Sequence, residues 1–153
     1  MSKLQDKNGI FVYGETEISL ILRDGEKVIF TSKKRGLRPL LECVVEWAGR
    51  VDNASLTDKV IGSAAARLIV RSEMIGTVTA GVISREALKH LSVHSIPVEW
   101  GKETDAILRD DGKGICPMEE LSNRLPDDRD YFPALFQYFS MNMPGWLIPG
   151  KRT

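Results

Sequence analysis

Polar and apolar residues alternate in two neighbouring segments near the start of the chain, 18–23 and 27–32. An alternation with a period of two is typical of a strand with one buried face. Asp24-Gly25 lies between the two segments, and this dipeptide strongly favours a short hairpin turn. The pattern therefore predicts that an antiparallel pair of strands opens the fold.

The apolar residues of segment 57–71 have the spacing of an α-helix. We expect the fold to assemble around this segment. Its apolar residues form one stripe: Val60, Ile61, Ala64, Ala65, Leu68 and Ile69. Thr57 is a suitable N-cap, and Asp58 suits the positive end of the helix dipole. Gly62 would then lie inside the helix, where it costs about 1 kcal/mol relative to Ala. The small residues that follow would let another backbone or a ligand come close.

The helices and strands predicted in later segments indicate the fold class. An apolar stripe predicts a helix that begins near Pro39, and residues 76–83, β-branched on both faces, predict an interior parallel strand. Ser84 is placed to cap a further helix, and residues 96–100 form a strand whose Pro97 favours an edge or a strand start. Helices and strands that alternate in this way predict a three-layer α/β/α sandwich around a mixed sheet.

The two ends of the chain differ from the middle. We expect an N-terminal extension over residues 1–16, an α/β domain over 17–125 and a tail over 126–153 that is rich in aromatic residues and Met. A long apolar tail packs either on its own domain or on another copy of the chain. The sequence leaves both alternatives open, including a homodimer formed through the tail.

Composition excludes several functional classes. The 153 residues carry 21 basic and 21 acidic side chains, so there is no basic excess of the kind that nucleic-acid binders show. The first residues are polar, and no apolar run is long enough to cross a membrane. Two cysteines fit a reducing compartment. We therefore expect a cytoplasmic protein without nucleic-acid or membrane partners.

A glycine-rich loop before a predicted helix is the strongest candidate for chemistry. Cys116 falls at the N-cap, and Glu119 falls at the third helical position, where it can reach back to a backbone amide. Gly114 and its neighbours could bring amides together to hold an anion, and the helix dipole would favour a Cys116 thiolate. The alternatives are a nucleophile, an anion-binding loop, or a tight helix entry in which Cys116 is only a cap.

Four other side chains carry weaker signals. His90 and His94 have the spacing of two metal ligands on one helix face, but no third ligand is evident nearby, so we expect no metal or other cofactor. Lys59 would oppose the dipole in the first turn of the central helix. It therefore pairs with a carboxylate, points into a ligand site, or is simply solvated. Cys43 is expected to be a packed, inert thiol within its helix.

Four segments in this order resemble a small bacterial and archaeal family of unknown function with a cytidine-deaminase-like fold: 32–42, 58–66, 82–88 and 114–119. The resemblance covers roughly residues 17–125 and implies an α/β/α sandwich whose first two strands are antiparallel. It singles out Lys59, Gly62, Cys116 and Glu119 without assigning them roles. Zinc deaminases carry His-x-Glu or Cys-x-Glu at one helix start and Pro-Cys-x-x-Cys at the next. The segments 58–62 and 84–87 contain neither His nor Cys.

We therefore expect a deaminase-like domain without zinc that binds a small anionic or nucleotide-like ligand. The site would lie where the central helix and the Ser84 helix begin, at the ends of the strands. Lys59, Gly62 and Ser63 would line it, Ser84 would offer a hydroxyl, and Cys116 with Glu119 would close it. The alternatives are an enzyme with Cys116 as nucleophile and a structural module that assembles through the tail.

Overall fold

A computed structural model describes residues 12–13, 16–109 and 111–147 of the chain. The strands are β1 (Val12–Tyr13), β2 (Thr16–Glu17), β3 (Leu20–Asp24), β4 (Lys27–Ser32), β5 (Ala54–Ile61), β6 (Ile75–Ser84) and β7 (Val98–Thr104). The helices are α1 (Arg38–Trp47), α2 (Ser63–Ser72), α3 (Arg85–Val93), α4 (Pro117–Arg124), α5 (Asp128–Tyr138) and a 3-10 turn at Gly145–Leu147. The chain divides into two compact units, with the boundary between Ile107 and Leu108.

The first unit is built on a five-stranded mixed sheet with the strand order β4-β3-β5-β6-β7. Strand β3 is antiparallel to β4 and β5, whereas β6 is parallel to both of its neighbours. The hairpin prediction is confirmed, with Gly25 in the turn at a φ of 63°. A separate antiparallel pair joins β1 and β2. The α/β class and the mixed sheet are therefore as predicted.

The prediction of one helix over residues 57–71 is wrong in its first third. Residues up to Ile61 belong to β5, Gly62 is the N-cap, and only Ser63–Ser72 is helical. Thr57, Val60 and Ile61 are β-branched and fit a strand as well as a helical stripe. Pairing on both sides decides between the two, because β5 bonds to β3 on one side and to β6 on the other. Gly62 therefore lies outside the helix.

The other elements follow their predictions closely. Helix α1 carries Pro39 in its first turn, and Gly49 follows its end with a φ of 85°. Strand β6 is interior, and β7 is an edge strand that begins just after Pro97. Ser84 caps α3, since its Oγ accepts a hydrogen bond of 3.1 Å from the Ala87 amide. Tight strand-to-helix junctions thus connect the parallel part of the sheet.

One face of the sheet carries three helices, because α1 and α3 both pack against α2. Between this helix layer and the sheet lies an apolar core: Leu20, Leu22, Leu40, Leu41, Val44, Leu56, Leu68, Ile69, Val78 and Ala80. Cys43 lies in α1 with no exposed surface, which confirms it as a packed side chain. A second layer of helices on the other face, which a three-layer sandwich requires, stays a prediction.

The second unit contains the loop before α4, the two helices α4 and α5, and the 3-10 turn. Helix α4 packs against α5. The buried apolar side chains among the described residues of this unit are Met118, Leu121, Tyr131, Phe132, Leu135, Phe136 and Leu147. None of the helices among the described residues combines the length and apolar character needed to cross a membrane.

Candidate functional site

The carboxyl ends of the three parallel strands bring the predicted residues of the first unit to one edge of the sheet. Ile61 lies opposite Ile83, and Ser84 lies opposite Thr104. Gly62 and Ser63 follow Ile61 directly, so they come beside Ser84 at this carboxyl edge. Ligands of open α/β sheets bind outside the carboxyl ends of the strands. The geometry therefore joins Gly62, Ser63 and Ser84 in one region.

Two helices begin at the carboxyl edge. Helix α2 starts at Ser63 after the extended residue Gly62, which has no side chain that could cap the helix. Helix α3 starts at Arg85, directly after the last residue of β6. Both helix dipoles point their positive ends to this edge, and such ends favour negatively charged groups. These two helix starts thus favour a negatively charged group.

Arg85 adds a charged cluster at the same edge that the sequence did not reveal. Its Nη2 lies 2.7 Å from Asp105 Oδ1, and its Nε donates to Glu103 Oε2 at 3.3 Å. The Arg85 side chain is 71% exposed, so these pairs contribute little to stability. The partners are about 20 residues apart in sequence and meet only because α3 begins and β7 ends at this edge. No local pattern could have found them.

Lys59 lies in β5, so its predicted place in the first turn of a helix is wrong. Its Nζ is 3.8 Å from Glu17 Oε1, and its amide donates to the Ser19 carbonyl at 3.0 Å. Successive strand residues point to opposite faces, so Lys59 and the neighbouring Asp58 leave the sheet on different sides. A role for Lys59 in ligand binding stays a prediction.

Asp58 also lies in β5 rather than in a helix, and its surroundings perturb its carboxyl group. Asp58 lies in the middle strand of the sheet and is half-buried. Desolvation by burial raises the pKa of Asp58 to about 7, although hydrogen bonds from the Val60 and Lys59 backbone act in the opposite direction. The middle strand of the sheet therefore holds an acid that titrates near neutral pH.

Cys43 of α1 shares this environment. Burial raises the pKa of the Cys43 thiol to about 12, and the charges of Asp58 and Glu46 add to the rise. Asp58 lies opposite Leu20 and Ala80 in the register of the sheet, so it shares a face with these two core residues. A thiol with this pKa is protonated at neutral pH, so Cys43 is unsuited to act as a nucleophile.

Cys116, Glu119 and Gly114 belong to the second unit. Cys116 is the N-cap of α4, as predicted, is partly exposed, and makes no capping hydrogen bond through its side chain. Glu119 is buried at the third helical position. The preceding loop is closed by a bond of 2.9 Å from the Arg109 amide to the Gly114 carbonyl. A nucleophilic Cys116 stays a prediction.

The amides of this loop are partly used within the loop itself. The Lys113 amide donates to Asp111 Oδ1 at 2.8 Å, and the Gly112 amide donates to the Arg109 carbonyl at 2.9 Å. Gly112 and Gly114 have φ values of 74° and 114°, which residues with a side chain rarely adopt. The backbone conformation therefore accounts for both glycines, and no bound ligand is needed to explain them. The arrangement favours the tight helix entry over the anion-binding loop.

The two histidines contact each other on α3. Nδ1 of His94 lies 2.9 Å from the His90 carbonyl oxygen, and the two ring centroids are 4.6 Å apart. Within the described part of the chain, no group of three or more His, Cys, Asp or Glu side chains is arranged to hold a metal ion. The corrected start of the central helix, Gly62 to Ala66, also contains neither His nor Cys.

Comparisons with known proteins identify the family. The sequence model of the domain of unknown function DUF1893 (TM1506) matches residues 11–139, beyond both ends of the expected span of 17–125. The crystal structure of a DUF1893 family protein, TM1506 from Thermotoga maritima, is similar with a TM-score of 0.67 and 31% identity. That match covers 80% of this chain and 81% of the other. No curated protein matches. The chain belongs to the DUF1893 family.

Proposed function

We propose that the first unit binds a small anionic, nucleotide-like ligand at the carboxyl edge of β5, β6 and β7. The observation that carries the proposal is the pair of adjacent junctions at which parallel strands run into helices. One residue separates β5 from α2, and none separates β6 from α3. Two positive helix ends and the hydroxyls of Ser63 and Ser84 therefore converge in one region.

The proposal includes a deaminase-like fold, which the mixed sheet supports. Its first pair of strands is antiparallel, and two crossover helices begin at the edge where zinc deaminases hold their metal. The helix starts at Gly62 and Ser84 carry small and hydroxylated residues instead of metal ligands. Without His or Cys at these positions, the edge offers no group to activate a water molecule as a zinc ion would. Binding, rather than deamination, is the function that these residues support.

Calorimetric titration of the full chain with nucleoside phosphates, nucleosides and inorganic phosphate would test the proposal. We expect nucleoside phosphates to bind and the uncharged nucleosides to bind at least about tenfold more weakly, which corresponds to about 1.4 kcal/mol. Ser63→Glu places a negative charge at the start of α2. The added negative charge should abolish anion binding. The chain should stay folded, because acidic residues stabilise helix starts.

Ser92→Glu is the matched control, since Ser92 is exposed in the last turn of α3, away from both helix starts. It adds the same charge to the chain and should leave binding unchanged. Equal weakening by both variants, or no binding of any nucleoside phosphate, would contradict the proposal.

A second candidate is an enzyme that uses Cys116 as its nucleophile. The partly exposed thiol at the start of α4 supports this proposal. Alkylation of Cys116 measured against pH would test it, because a nucleophilic thiolate forms well below the usual pKa of a thiol. An ordinary alkylation rate below neutral pH would rule it out.

A further inference from the structure

Strand β7 ends the sheet and leaves one side of its backbone without a partner strand among the described residues. Residues 99–103 are all exposed, and Trp100 keeps 44% of its surface accessible. An exposed edge strand is a template for pairing with another chain. The register and side chains of β7 therefore determine which partner strand it fits.

The direction of the unpaired backbone groups follows from one hydrogen bond. The Val78 amide of β6 donates to the Pro97 carbonyl at 3.0 Å, so the backbone groups of residue 97 point toward β6. Because these groups alternate along a strand, those of the odd-numbered residues also point toward β6. The outward amides and carbonyls belong to the even-numbered residues, which are Val98, Trp100, Lys102 and Thr104.

We propose that β7 pairs with β7 of a second copy of this chain, antiparallel, about a two-fold axis at Gly101. Gly101 is the middle residue of the seven in Val98–Thr104. In this register Val98 lies opposite Thr104 of the second copy, and Trp100 lies opposite Lys102 of the second copy. Each pair occurs twice, so every outward backbone group of the strand gains a hydrogen bond. The two sheets become one continuous sheet of ten strands.

The side chains at the axis favour the same register. Opposite residues of a pair without hydrogen bonds approach to about 4.5 Å between Cα atoms, and Gly101 has no side chain to obstruct this approach. Trp100 is paired with Ala80, so it lies on the face that carries the helices. There the ammonium group of Lys102 of the second copy can pack on the indole ring of Trp100.

Apolar surface beside the edge adds to the interface. Val93 at the end of α3 is 70% exposed, and α3 packs against β7. The two-fold axis brings the two α3 helices to the same side of the joined sheet. Val93 and Trp100 of each copy then lie beside the line along which the two β7 strands pair. On the opposite face Glu99 lies opposite Glu103 of the second copy, and Arg85, which is paired with Glu103 at 3.3 Å, offsets the repulsion between these two carboxylates.

Sedimentation analysis of the full chain over a range of concentrations tests the proposal. We expect a reversible dimer. Trp100→Lys places like charges opposite each other twice, and we expect the dissociation constant to rise by about tenfold or more because such pairs destabilise a sheet. Val45→Lys is the matched control, because Val45 is 37% exposed on α1. Helix α1 packs against β3, which β5 and β6 separate from β7 in the sheet. This variant should leave the dimer unchanged.

An engineered disulfide tests the register of the proposed strand pair. In a Cys116→Ser background, Gly101→Cys should form an intermolecular disulfide under mild oxidation, since the two Cα atoms fall within the range that a disulfide spans. Glu99→Cys should not, because the two copies of residue 99 are offset by four residues, or about 13 Å. A monomer at all concentrations would overturn the proposal. A dimer that survives Trp100→Lys and does not cross-link at position 101 would also overturn it, and would assign assembly to another surface.

Discussion

The side chain of Asn53 occupies the space that a side chain at Gly76 would need: a Cβ atom built on Gly76 would lie 1.8 Å from Asn53 Oδ1. Asn53 has a φ of 58°, a left-handed conformation that Asn tolerates better than most residues. The pairing of β5 with β6 shifts register just after Ala54. Asn53 and Gly76 thus define where the two central strands begin to pair.

Gly76→Ala should destabilise the protein by about 1–2 kcal/mol, because Asn53 must move to admit the new methyl group. Urea unfolding would measure the loss. Gly145→Ala is the control, since nothing lies within 4 Å of a Cβ at that position. Adding Asn53→Gly, which suits a positive φ, should restore most of the lost stability. A double variant as unstable as Gly76→Ala would contradict this account.

The buried carboxyl of Asp58 should make the protein less stable as the pH rises toward neutrality. Its folded pKa of about 7 lies above the unfolded value of about 3.9, so the folded state holds the proton more tightly. The stabilisation is complete below the unfolded pKa and is lost as the pH rises through the folded pKa. Between about pH 5 and pH 7 the free energy of unfolding should fall by about 1 kcal/mol per pH unit.

Asp58→Asn removes the titrating group and should flatten this dependence in urea unfolding experiments. Asp24→Asn is the matched control, because Asp24 is exposed at the hairpin turn and should preserve the slope. If the variant at position 58 kept the same slope, the loss of stability would have to come from another group.

The two thiols should differ sharply in reactivity. Cys43 has no exposed surface and a pKa of about 12, whereas Cys116 is partly exposed. A thiol reagent should therefore label one cysteine in the native protein and both in denaturant. Cys116→Ser should abolish the native labelling. Rapid labelling of Cys43 in the folded chain would show that α1 opens readily.

Ser84→Ala should cost about 1 kcal/mol, because it removes the hydroxyl that accepts the Ala87 amide at the start of α3. Ser84→Thr keeps the hydroxyl and should lose less. Thermal unfolding of both variants would measure the difference. Equal losses would mean that the cap hydrogen bond adds nothing beyond the packing of a buried side chain.

Much of the fold followed from local patterns. The hairpin turn at Asp24-Gly25, the helix after Pro39 and the cap at Ser84 each depend on residues within a few positions of one another. The interior strand β6 was evident because both of its faces are β-branched. These features were predictable since turn conformation, capping and burial pattern are short-range properties of the chain.

The tertiary structure decided what short-range patterns could not. Residues 57–61 fit a helix and a strand equally well, and only pairing with β3 and β6 made them the middle strand. That pairing placed Lys59 and Asp58 on opposite faces of the sheet, and burial in the middle strand raises the pKa of the Asp58 carboxyl. The cluster of Arg85 with Glu103 and Asp105 likewise depends on strand order. Contacts between distant residues depend on which strands become neighbours, and no window of the sequence contains that information.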